Sequence, residues 1–130
     1  MVEEVAFPLP AGLADEIVAH ARAGYPEEVC GLISGRSGAP LAVHRGRNIS
    51  PTPQVAYELD HETLALQIGF EDEGLELLAI YHSHSQGPET PSETDIRLAY
   101  YPEAVYVILS LAEPGRPVLR AFRIPVIGML

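Results

Sequence analysis

One run of seven residues, Val105-Tyr106-Val107-Ile108-Leu109-Ser110-Leu111, is apolar at every position except Ser110. A run this short and this apolar reads as a strand buried on both faces. Such a strand belongs inside a sheet with helices packed against it. The rest of the chain must supply the neighbouring strands and the cover.

The cover is legible as three helices. From Ala11 to Ala23, the apolar residues Leu13, Ile17, Val18 and Ala21 recur at helical spacing, and Gly24 and Pro26 stop the pattern. Asp60 is a good N-cap for a second helix carrying Leu64 and Ile68. The acidic Glu71-Asp72-Glu73 opposes the helix dipole, so this helix is expected to end near Phe70. Ser92 to Tyr100 reads as a third helix, closed by Pro102.

Strands are expected at Val5–Phe7, Glu28–Gly35, Leu41–Arg47, Val55–Glu58, Leu75–His84 and Val118–Ile124. Turns at Arg36–Pro40 and Glu113–Pro117 make hairpins. The sum is a mixed α/β (α+β) fold, with a largely antiparallel sheet flanked by two to three helices. Its 130 residues suit a single domain spanning 1–130.

Charge narrows the partners. A formal net charge of −10 repels phosphate backbones, which speaks against nucleic acid. A metal cation, or a protein with a basic face, suits it better. All eight basic residues are arginine, as a GC-rich codon bias would give. The lone cysteine, Cys30, excludes an internal disulfide and fits a reducing compartment. No signal-peptide pattern and no apolar run of membrane-spanning length is present, so a soluble, cytoplasmic protein with no membrane partner is expected. The tail Pro125–Leu130 is apolar and would dock on the body or form an interface, which makes a homodimer possible.

The chemistry lies where Leu75–His84 ends. His82 and His84, at i and i+2 on an extended strand, point to one side and are well placed for one metal ion. A third ligand is needed for a catalytic zinc site, and Asp95 is the nearest candidate across the turn-rich Gly87-Pro88 to Pro91 loop. Both halves also have plainer readings. His-x-His recurs by accident, and Ser92-Glu93-Thr94-Asp95 is also an N-terminal capping pattern. His20, His44 and His61 stand alone and read as ordinary histidines. Cys30 sits in an apolar strand where thiolate is disfavoured, so it reads as a core residue rather than a nucleophile.

His82-x-His84, seven residues, then Ser92-x-x-Asp95 resembles the signature of the JAMM (MPN+) zinc metalloproteases, small prokaryotic type. Pro26-Glu27-Glu28-Val29-Cys30-Gly31-Leu32 resembles that family's upstream glutamate segment and puts the catalytic glutamate at Glu28, not Glu27. One departure is Ser85, where the family commonly has proline.

The resemblance implies an MPN/JAMM fold with a cytidine-deaminase-like layout. It implies one Zn²⁺ held by His82, His84 and Asp95, with a position left for water. Glu28 would be general base and then general acid, and Ser92 would donate to the oxyanion. The implied activity is that of a peptidase or isopeptidase cutting after the C-terminal Gly-Gly tail of a ubiquitin-like or sulfur-carrier protein. The alternative is a catalytically silent MPN scaffold, against which the intact set of five residues argues. The zinc deaminase motif His-x-Glu with Pro-Cys-x-x-Cys and the HExxH motif are both absent.

Overall fold

The computed structural model describes residues 1–126. The elements in chain order are β1 (Glu3–Val5), α1 (Ala11–Gly24), β2 (Cys30–Arg36), β3 (Ala39–Arg45), α2 (His61–Phe70), β4 (Glu76–His84), α3 (Glu93–Arg97), β5 (Val105–Ser110) and β6 (Val118–Arg123). Six strands form one sheet in the order β1-β6-β5-β4-β2-β3. Every pairing is antiparallel except β4 with β5. The mixed, largely antiparallel sheet expected from the sequence is therefore the one observed.

Alternation along the strands divides the core into two layers. Ile33, Ala79, Tyr81, Val107 and Leu109 face α1, which buries Ile17 and Ala21 against them. Cys30, Leu32, Ile80, Tyr106 and Ile108 face the other way, under Phe70 of α2 and Ala99 beyond α3. His82 and His84 share the parity of Ile80, so they emerge on the α2 and α3 side. Gly31 allows β2 to lie close to β4, because a Cβ there would stand 2.4 Å from the Tyr81 ring.

Several boundaries differ from the sequence reading. The first strand is Glu3–Val5, set by pairing with β6 rather than by Val5-Ala6-Phe7 itself. The segment Val55–Glu58 is not a strand; an isolated bridge, Asn48 to Leu59, closes a loop around it. The third helix stops at Arg97, well short of Tyr100. Its continuation is replaced by a bond from the Tyr101 N–H to the Tyr106 hydroxyl at 3.1 Å.

The second helix ends at Phe70 as its acidic tail foretold. Glu71–Glu73 form a single 3₁₀ turn, and Gly74 leaves it at φ 70°. The Arg36 side chain donates to the carbonyls of Gly74 and Glu73, at 3.1 and 3.2 Å. The apolar tail falls mostly on 127–130, outside the described residues.

Candidate metal centre

The site is assembled by the middle of the sheet. In register, His82 of β4 lies between Cys30 of β2 and Ile108 of β5. Three donor atoms converge at the strand end. His82 Nε2 and His84 Nε2 are 3.1 Å apart. Asp95 Oδ2 is 3.1 Å from the first and 3.0 Å from the second. All three residues are buried, at 1, 4 and 7 % exposure.

The helix start delivers Asp95. Ser92 caps α3, its Oγ accepting from the Asp95 N–H at 3.0 Å, while the Ser92 N–H donates to Asp95 Oδ2 at 2.9 Å. Capping and clustering are thus one arrangement. The capping bond uses Ser92 Oγ as an acceptor and leaves its proton free, for no acceptor bonds it among the described residues. Pro88 orients His84, because its carbonyl accepts from Nδ1–H at 2.8 Å. That fixes the tautomer and turns the Nε2 lone pair toward the cluster.

The loop holds without the proline absent at position 85. Ser85 is buried, and the His84 carbonyl accepts from Leu111 N–H at 3.0 Å and Gly87 N–H at 3.4 Å. Gly87 adopts φ 80°, where a side chain would be strained.

Glu28 faces this triangle. One ligand atom from each of Glu28, His82, His84 and Asp95 lies within 4.8 Å of the others. Glu28 is 5 % exposed, and its Oε1 has no hydrogen-bond partner among the described residues. Burial pushes its carboxyl up to about 7, with the His84 charge pulling it down and the Asp95 charge adding to the rise. Burial also acts to raise Asp95, but the His82 and His84 rings packed against its Oδ2 overcome it and hold that carboxyl well below the usual range. Burial lowers His82.

The donor set fits a divalent metal. Ligands at about 2.0–2.1 Å in tetrahedral array stand about 3.3 Å apart, close to the edges seen here. Three electron-rich atoms this close, buried in the core, suit a cation, and the Glu28 carboxylate lies beside them. Cys30 carries no such role. It is fully buried, and burial first, then Asp60 and Glu28, push its thiol up to about 12.

Sequence reasoning missed Tyr57 and Asn48. The Tyr57 ring stacks on His82, with centroids 4.2 Å apart and planes at 21°. It is also one wall of a cavity of about 390 Å³, shared with Leu59, Ile80, Leu98, Tyr100 and Tyr106. Nothing in the local sequence marks either residue. His20 and His44 do have partners, Tyr81 Oη and Ser34 Oγ, each at 2.7 Å and away from the cluster. His61 is exposed.

A six-stranded α+β sheet bearing a His-x-His strand end, a capping aspartate and a buried glutamate defines the JAB/MPN class of domain. Residues 10–125 match the family described as prokaryotic homologs of the JAB domain, and the chain belongs to it. It is similar to a desampylase of Haloferax volcanii, 40% identical over 109 residues, covering 78% of each chain. It is similar to a CysO-cysteine peptidase of Mycobacterium tuberculosis, 37% identical over 116 residues, covering 88% of this chain and 80% of that one. A solution structure from Desulfitobacterium hafniense shares the fold with a TM-score of 0.75 and 34% identity, covering 85% of this chain and 79% of that one. No helix among the described residues is long and apolar enough to cross a membrane.

Proposed function

We propose that this chain is a single-domain, cytoplasmic, zinc-dependent peptidase or isopeptidase. It hydrolyses the bond after the C-terminal Gly-Gly tail of a ubiquitin-like or sulfur-carrier protein. His82, His84 and Asp95 hold the ion, Glu28 moves the proton and Ser92 supports the oxyanion. The observation that carries this reading is the buried Glu28 carboxylate, unpartnered at Oε1, beside three converging donor atoms.

Zinc, when bound, supplies a Lewis acid at the cluster. The chain's own residues do the rest. Glu28 takes the proton of the attacking water and later delivers it to the leaving amine nitrogen. A carboxyl held at about 7 can both accept and release a proton near neutral pH. The Ser92 proton, uncommitted by the capping bond, donates to the oxygen that gains charge. No covalent intermediate with the chain forms, and Cys30 stays a buried thiol.

Burial of the cluster favours a substrate whose reacting segment lacks side chains, which a Gly-Gly tail provides. The net charge of −10 suits a partner with a basic face. Relatives named desampylase and CysO-cysteine peptidase support a hydrolytic reading over a silent scaffold.

The test is mass spectrometry of zinc-loaded protein incubated with ubiquitin-like and sulfur-carrier proteins extended beyond Gly-Gly. Loss of the extension is expected with the wild type and not with Glu28→Gln. Intact substrates throughout would sink the reading.

A further inference from the structure

We propose that Asn48 is a positioning residue that sets both the Glu28 carboxylate and the Tyr57 ring against the cluster. The proposal rests on the reading of Glu28 as the proton-moving group.

Glu28 is buried, and few polar bonds set its carboxylate. It precedes β2, and the peptide that follows it is held to β4, Val29 N–H donating to Ser83 Oγ at 2.9 Å. Glu28 Oε1 has no partner among the described residues, so none of their hydrogen bonds fixes that end of the side chain. Its place therefore depends heavily on its peptide groups. The Glu28 N–H donates to Pro53 O at 2.7 Å. The Glu28 carbonyl accepts from Asn48 Nδ2 at 2.9 Å. Both anchors belong to the loop between β3 and α2.

The same amide organises that loop around Tyr57. Asn48 Nδ2 also donates to Ala56 O at 3.0 Å, with Pro53 O a longer contact at 3.4 Å. Asn48 Oδ1 accepts from Glu58 N–H and from Ser50 N–H, each at 3.0 Å. Tyr57 is the residue between two of these anchor points, Ala56 and Glu58. Its ring is thereby aimed at His82, on which it stacks. One half-buried side chain uses its full hydrogen-bonding capacity to tie the base that precedes β2 to the ring that covers His82 on β4. A displacement of about 1 Å at a reacting group costs on the order of a hundredfold in rate.

The test compares Asn48→Ala with wild type, alone and in the Glu28→Gln background. In the wild-type background kcat is expected to fall about ten- to hundredfold. KM and competitive zinc affinity are expected to stay within about threefold, since the three donor residues do not touch Asn48. In the Glu28→Gln background the same change is expected to do nothing further, because its effect runs through Glu28. An equal loss in both backgrounds, or an unchanged kcat, overturns the proposal. If Asn48→Ala does not fold, Asn48→Asp keeps acceptors for Ser50 and Glu58 and removes the donors to Glu28 and Ala56.

NMR of the His82 ring gives a readout free of turnover. Loss of the stacked Tyr57 ring is expected to move the His82 ring protons downfield in the variant. Unchanged His82 signals overturn the positioning of Tyr57 whether or not the wild type cleaves anything. A wild type that cleaves no Gly-Gly-linked bond, with His82 signals that do shift, overturns the proposed function and the part of this proposal that runs through Glu28, and supports the placement of Tyr57.

Discussion

Glu28 is expected to cost the fold stability, because it is a buried carboxylate. A buried carboxylate with an oxygen unpartnered carries a desolvation cost that an amide of the same shape largely avoids. Glu28→Gln is therefore expected to raise the unfolding midpoint by about 2–5 °C while kcat falls about 10²–10⁴-fold; calorimetry and a cleavage assay on the same preparation check both halves. Gly31 works in the opposite sense. Its missing Cβ would meet the Tyr81 ring at 2.4 Å and the His44 carbonyl at 2.5 Å. Gly31→Ala is expected to lower stability by about 1–3 kcal/mol, read by urea unfolding; an unchanged midpoint would show that β2 and β4 separate at little cost. The clustering of His82, His84 and Asp95 was legible at this scale because the period of a strand puts His82 and His84 on one side, and a helix start brings Asp95 back. Tyr57 and Asn48 were not. Their roles come from a loop folding across the strand ends, and neither belongs to a spacing that sequence can display.

Among the elements, α1 is tied to β4 by one polar contact that is sensitive to acid. His20 Nδ1 lies 2.7 Å from Tyr81 Oη. Burial first, then the Arg45 charge, pulls His20 from 6.5 down to about 4. The unfolded chain thus binds more protons between those values, so this contribution is complete above about pH 6.5 and is lost as pH falls toward 4. His20→Gln is expected to flatten part of that slope in unfolding midpoints taken from pH 7 to 4; a slope identical to wild type would remove His20 from the acid response. Element existence was legible from periodicity, and so was the end of α2, where three acids and a glycine meet. Boundaries were less so. The extent of β1 is decided by its pairing with β6, α3 is cut short by the Tyr101–Tyr106 bond, and Val55–Glu58 is captured by Asn48 before it can pair. Each depends on a partner distant in sequence.

For the molecule as a whole, the central sheet positions the chemistry. β4, in the interior of the sheet, carries two donors out to one end, and α3 and the start of β2 close around them. A cation bound only by the folded arrangement stabilises it by mass action, about 4 kcal/mol at a thousandfold excess over Kd. Chelation is therefore expected to lower the unfolding midpoint and abolish cleavage, with both restored by zinc; a midpoint indifferent to chelator would separate the cluster from metal binding. Three of the four clustered residues are expected to hold one metal, the fourth staying free to move protons. Elemental analysis of zinc per chain, after loading and desalting, tests this assignment most directly. One zinc is expected in the wild type and in Glu28→Gln, and almost none in His84→Ala or Asp95→Ala. Zinc lost with Glu28→Gln, or a metal-free wild type, would contradict it.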